Sequence, residues 1–162
     1  VAMLVVTLLA LVTFRGSDAG ITTDLERFSQ IALSDYEGHT VSLDSFRGKP
    51  LVVNSWATWC PFCVNELPDF AHLQEEFGET ILVIAINRAE NKNTVHSYTD
   101  NLHISNSITF LFDDDDAFYR MIGGFSMPET IFIDREGSIA FHKRGPLTFD
   151  EMDRAVQEHL MR

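Results

Sequence analysis

The chain contains two cysteines, Cys60 and Cys63, three positions apart in Trp59-Cys60-Pro61-Phe62-Cys63. Thiols at that spacing can bind a metal, staple the chain, or exchange electrons as a dithiol–disulfide pair. A structural zinc site needs four ligands, and the six histidines supply no His-x3-5-His pair to complete one. A disulfide closing so short a loop adds little chain entropy, which makes an inert staple the weaker reading without removing it. Electron exchange needs one thiol held as thiolate and a second able to resolve a mixed disulfide.

The surrounding sequence provides for both thiols. Leu51–Trp56 is a mostly apolar run after Gly48-Lys49-Pro50 and reads as a buried strand. Pro61–Phe77 carries Leu67, Phe70, Leu73 and Phe77 at helical spacing and stops at Gly78. Cys60 falls at the strand-to-helix junction, where unpaired N–H groups and the helix dipole favour a thiolate. Pro61, at the first helical position, has no N–H to satisfy. Cys60 is therefore predicted to be the exposed nucleophile, and Cys63, one turn in, the more buried resolving thiol. A thiol peroxidase would want Thr or Ser three residues before the reactive cysteine, where Ala57 stands.

Other elements must position this junction. Ile31, Leu33, Val41 and Leu43 flank Tyr36-Glu37-Gly38-His39 as a hairpin. Ile81–Ile86 reads as a second buried strand, Asn91–Leu102 as a polar helix, Ile108–Phe112 as a strand and Asp113–Ile122 as a short helix. Thr130–Asp134 and Ser138–His142 flank Arg135-Glu136-Gly137 as an antiparallel hairpin. Thr148–Met161 closes as an amphipathic helix with Phe149, Met152, Val156 and Leu160 on one face. The order predicts an α/β fold with a central mixed β-sheet flanked by helices and an N-terminal β-hairpin extension.

Composition excludes other classes. The 162 residues carry 12 Lys plus Arg against 24 Asp plus Glu, a net charge of −12. No basic stripe is available to neutralise phosphates, so no nucleic-acid partner is expected. An apolar fraction of 45% builds a core and argues against disorder. The acidic run Asp113–Asp116 lacks the spaced ligands and glycine of a calcium loop, and no metal is expected there. The histidines are scattered and read as surface or edge residues.

Val1–Phe14 is uncharged and apolar, followed at once by Arg15-Gly16-Ser17-Asp18. Residues 1–15 are expected to be a signal anchor or signal-peptide remnant, 16–27 a tether with one helical turn, and 28–162 a single folded domain. With that arrangement the domain is expected on the extracytoplasmic, periplasmic side of a membrane.

WATWCPFC after LVVNS, with SMPETIFID toward the far end, resembles the thioredoxin superfamily. More narrowly it resembles the membrane-anchored, extracytoplasmic TlpA/ResA-like redoxins, which include the thioredoxin-like reductases of cytochrome c maturation. The resemblance covers roughly Phe28 to Leu160. It implies a thioredoxin-like fold and a protein thiol–disulfide oxidoreductase. Pro128 matches the family's cis-proline loop, which lies beside the disulfide and pairs with substrate backbone, making Met127 a substrate contact. Trp59, Pro61 and Phe62 belong to the surface that meets a partner, with Trp59 on its apolar rim. Glu66, one turn after Cys63, matches a glutamate associated with tuning the cysteine pair. Ordinary thioredoxins carry a buried aspartate six residues before the first cysteine, and here Asn54 stands there. A proton-relay role must then pass to Glu66 or to water. Trp56 reads as core, and Pro68 falls inside the active-site helix, as in the family.

No nicotinamide or flavin motif is visible, so no cofactor beyond the Cys60–Cys63 disulfide is expected. Electrons would come from an upstream donor dithiol protein, and the substrates would be protein disulfides. A disulfide-forming oxidase and a tethered peptide-binding module without exchange activity are the alternatives.

Overall fold

A computed structural model describes residues 23–162. The expected anchor, residues 1–15, lies outside the described residues. Of the expected tether, the described part is a docked helix: α1, Asp24–Phe28, buries Leu25 and Phe28. A capping box starts it, with Thr23 accepting the Glu26 N–H and the Glu26 carboxylate accepting the Thr23 N–H. The Leu25 N–H donates to the Gly137 carbonyl at 2.9 Å, which ties this end to the Arg135-Glu136-Gly137 turn.

The hairpin follows as β1, Leu33–Ser34, and β2, Thr40–Val41. Then come β3 (Leu51–Trp56), α2 (Pro61–Phe77), β4 (Leu82–Arg88), α3 (Lys92–Asn101), β5 (Thr109–Asp113) and α4 (Ala117–Met121). The chain closes with β6 (Glu129–Ile133), β7 (Ile139–Arg144) and α5 (Phe149–His159). The seven strands form one sheet in the order β2-β1-β5-β4-β3-β6-β7. β3, β4 and β5 are parallel neighbours, while β6 and β7 add antiparallel at one edge and β1–β2 at the other. The mixed sheet is as expected from the sequence.

Alternation explains why the central strands are buried throughout. Leu51 and Val53 of β3 face the layer of α1 and α4, beside Phe28 and Phe118. Val52 and Trp56 face the layer of α2, α3 and α5, beside Leu67, Phe70, Val95 and Met152. Asn54 has the parity of Val52 and Trp56, so its side chain enters the α2 layer. The active-site helix begins at Pro61 and ends before Gly78, as its pattern predicts. It runs past Pro68, where one backbone hydrogen bond is lost.

The acidic segment differs from expectation. A helix from Asp113 was expected, but β5 keeps Asp113 and α4 starts only at Ala117. The buried Asp113 carboxylate accepts the N–H groups of Phe118 (3.2 Å) and Tyr119 (3.1 Å), capping the helix from the preceding strand.

Candidate functional site

Cys60 caps α2, with extended backbone (φ −94°, ψ 106°), and its Sγ accepts the Cys63 N–H at 3.2 Å. Cys60 and Cys63 are joined as a disulfide with Cα atoms 5.3 Å apart. The expectation of an exposed Cys60 needs correction. In the disulfide form Cys60 is 4% exposed and Cys63 fully buried, because both join the α2-side core. The order of accessibility is as expected, but the margin is small. Helix N–H groups aimed at Cys60 favour negative charge on its sulfur once the bond opens.

The loop that delivers Cys60 is braced from the segment that follows β4. Glu90 accepts the Thr58 N–H at 2.7 Å and the Thr58 hydroxyl, and also the Asn87 side-chain amide at 2.7 Å. Trp56 is fully buried, whereas Trp59 and Phe62 are 64% and 61% exposed. With Phe125, 87% exposed, they are the large hydrophobic residues left open to solvent among the described residues. Two of these flank Cys60, and the third lies in the loop leading to Pro128.

Glu66 is 3% exposed. Its Oε1 accepts from the Asn54 side-chain amide at 2.9 Å, and its Oε2 from the Leu147 N–H at 2.9 Å. Asn54 also donates to the Thr130 hydroxyl at 3.0 Å, its register partner on β6. Burial pushes the Glu66 carboxyl up to about 7, and the Leu147 and Asn54 donors only partly oppose it. The amide at position 54 thus serves as a donor to the acid on the facing helix. A groove of about 220 Å³ between Phe62, Asn65, Asp69 and the Pro146-Leu147-Thr148 loop reaches Glu66.

The Met127–Pro128 peptide bond is cis. Met127 is half-buried and packs against both core layers, including the one that holds the disulfide. Among the described residues, no hydrogen bond engages the Met127 N–H or C=O. The Pro128 carbonyl accepts the Gly145 N–H at 2.9 Å. Glu129, fully buried, accepts the N–H groups of Phe125 (2.6 Å) and Ser126 (2.9 Å) on Oε1. Its Oε2 lies 2.8 Å from His142 Nε2. Burial pushes Glu129 up, but those backbone donors and His142 outweigh it and hold the carboxyl below its usual range. His142, expected to be an ordinary edge residue, is therefore the partner of a buried acid.

The disulfide at a helix N-terminus, the cis-proline loop and the sheet order are now in place, and residues 23–156 match the Redoxin family. The chain belongs to that family. Among curated relatives, the thioredoxin-like protein YneN of Bacillus subtilis is 27% identical over 147 residues, covering 89% of this chain and 84% of its own. The thiol-disulfide oxidoreductase ResA of Halalkalibacterium halodurans is 29% identical over 136 residues, covering 82% and 74%. Among solved structures, MTB DsbF, in mixed oxidised and reduced forms, superposes with a TM-score of 0.74 at 25% identity, covering 85% of this chain and 98% of that one. This redoxin is a thiol–disulfide oxidoreductase carrying a Cys60–Cys63 disulfide.

The structure brings Trp59, Cys60, Pro61, Phe62, Cys63 and Glu66 together on one end of α2, with Asn54 beneath them. Reading the sequence missed Glu90, Glu129 and Phe125. Glu90 and Glu129 act through a loop conformation and through partners on neighbouring elements, Thr58 and His142, which no local spacing marks. Phe125 had a usable signal, a lone aromatic in the glycine-rich approach to Pro128. One group of three possible metal ligands, Asp35, Glu37 and His39, has ligand atoms within 4.8 Å on the β1–β2 turn. There Asp35 already accepts the His39 N–H at 2.8 Å and pairs with its ring at 3.1 Å.

Proposed function

We propose that this redoxin reduces protein disulfides on the extracytoplasmic side of a membrane. The observation that carries the reading is the Cys60–Cys63 disulfide capping α2 with Glu66 buried one turn later. In the reduced enzyme the Cys60 thiolate attacks one sulfur of a substrate disulfide. The substrate's other sulfur leaves as a thiolate and takes a proton, and a mixed disulfide forms on Cys60. Cys63 then gives its proton to Glu66 and attacks Cys60. The bond to the substrate breaks, the Cys60–Cys63 disulfide re-forms, and the substrate leaves as a dithiol. Two electrons have passed to it, and an upstream dithiol protein returns them.

Trp59, Pro61, Phe62, Met127 and Pro128 make the surface that receives the substrate. The exposed Trp59 and Phe62 rings and the unengaged Met127 backbone support this reading. Apocytochrome c is the substrate that the TlpA/ResA-like resemblance favours. The apolar run Val1–Phe14 supports an exported or membrane-anchored domain. Among the described residues, no helix is long and apolar enough to cross a membrane.

Equilibration with glutathione and dithiothreitol redox buffers tests the direction of exchange. A reduction potential well below the poise of an oxidising compartment is expected. A potential well above it would make the protein a disulfide-forming oxidase.

A further inference from the structure

Arg88 ends β4 and takes no part in the chemistry described so far. Its side chain is only 18% exposed. The guanidinium forks onto Asp116, with Nε 2.9 Å from Oδ1 and Nη2 2.6 Å from Oδ2. It lies 3.6 Å from the centre of the Tyr119 ring. The remaining nitrogen, Nη1, donates to the Met127 sulfur at 2.8 Å.

Each partner is held for this arrangement. Asp116 adopts a left-handed backbone (φ 59°, ψ 23°), uncommon for a residue with a side chain, and its carboxylate goes to Arg88 rather than to the end of α4. Capping of α4 falls to Asp113 instead. The Tyr119 hydroxyl donates to the Ser126 carbonyl at 2.9 Å, one residue before Met127. A Cβ at Gly124 would sit 2.5 Å from the Tyr119 ring, so the loop can lie this close only with glycine there.

We infer that Arg88 is the positioning residue of the substrate-pairing loop. Clamped by Asp116 and Tyr119, it fixes Met127 and thereby the backbone edge that an extended substrate chain pairs with. The inference rests on the reading of Met127 and Pro128 as substrate-binding. Arg88 acts on how a polypeptide is held, while the electron chemistry belongs to Cys60 and Cys63. A lysine would keep the charge but lose the fork that reaches Asp116 and Met127 together.

The test uses the full chain with dithiothreitol as reductant and two substrates: insulin, and a small aromatic disulfide that presents no backbone. Arg88→Gln is expected to raise KM for insulin about tenfold with kcat within about twofold. Turnover of the small disulfide and the equilibrium with a glutathione buffer should stay as in the parent. Met127→Leu, which keeps the bulk and removes the sulfur, should raise KM for insulin likewise, and the double variant should be no worse than Arg88→Gln alone. The inference is overturned if insulin kinetics do not change, if both substrates suffer equally, or if the two effects multiply. Should Arg88→Gln fail to fold, Arg88→Lys carries the same comparison. Pro128→Ala separates the two levels. If it leaves KM for insulin unchanged, the substrate-surface reading falls and this inference with it. If it raises KM while Arg88→Gln does not, only the role of Arg88 is lost.

Discussion

Glu66 and Glu129 are both buried carboxylates, one a helical turn after Cys63 and the other next to Pro128, and their surroundings push them in opposite directions. Glu66 meets only neutral donors, the Asn54 amide and the Leu147 N–H, and is raised to about 7. Glu129 receives two backbone N–H groups on one oxygen and His142 on the other, and is lowered. How deep an acid lies and what donates to it together decide what it can do. An acid that titrates near neutral pH suits the proton-relay role proposed for Glu66. An acid held ionised can only anchor, and Glu129 anchors the loop before Pro128.

The largest effect should come from breaking the anchor. Glu129→Ala leaves the Phe125 and Ser126 N–H groups and His142 without their acceptor, a loss of about 4 kcal/mol. Urea unfolding of the variant should show it, and Glu129→Gln, which keeps an acceptor, should recover much of it.

Glu66 should behave in the opposite way. Its folded value lies above its usual 4.5, so the native state holds the proton more tightly than the unfolded chain. The stabilisation is complete below pH 4.5 and is lost as pH rises towards about 7. The shift corresponds to about 3 kcal/mol, an order-of-magnitude value. Glu66→Gln should remove this pH dependence, leaving the variant more stable than the parent at pH 8. Its rate of thiol exchange should also lose a titration near neutrality. Unfolding curves that keep the same pH slope in the variant would place the proton elsewhere.

The smallest effect tests whether Glu129 needs the charge of Arg144. Arg144 Nε lies 3.8 Å from Glu129, and its side chain is 55% exposed. Arg144→Gln should change stability by less than about 1 kcal/mol. A larger loss would mean that Arg144, rather than the backbone donors, keeps Glu129 ionised.

The contrast between the two acids also shows what could be read from the chain. Glu66 was legible because it sits one turn after Cys63 on the same helix, a spacing that fixes a shared face. The helix was legible because Pro61 and Gly78 mark its ends and Leu67, Phe70 and Leu73 its buried face. Glu129 was not, because its partners, the backbone of Phe125 and Ser126 and the ring of His142, are set by a loop conformation and a strand pairing. Arg88 is a stronger case, since its partners Asp116 and Met127 lie 28 and 39 positions away. The helical turn expected in the polar stretch before Phe28 is α1, but five residues burying two side chains give no periodicity from which its docking could be read. The start of α4 was misplaced because four consecutive aspartates look alike in sequence. Only the fold assigns Asp113 to capping and Asp116 to Arg88.

The central claim is that exchange runs through a nucleophilic Cys60 resolved by Cys63. Cys63→Ser removes the resolving thiol and should leave substrate proteins covalently trapped on Cys60, as adducts that vanish with dithiothreitol. Cys60→Ser should trap none. Absence of adducts on Cys63→Ser while peptide binding persists, or trapping on Cys63 in Cys60→Ser, would contradict the account.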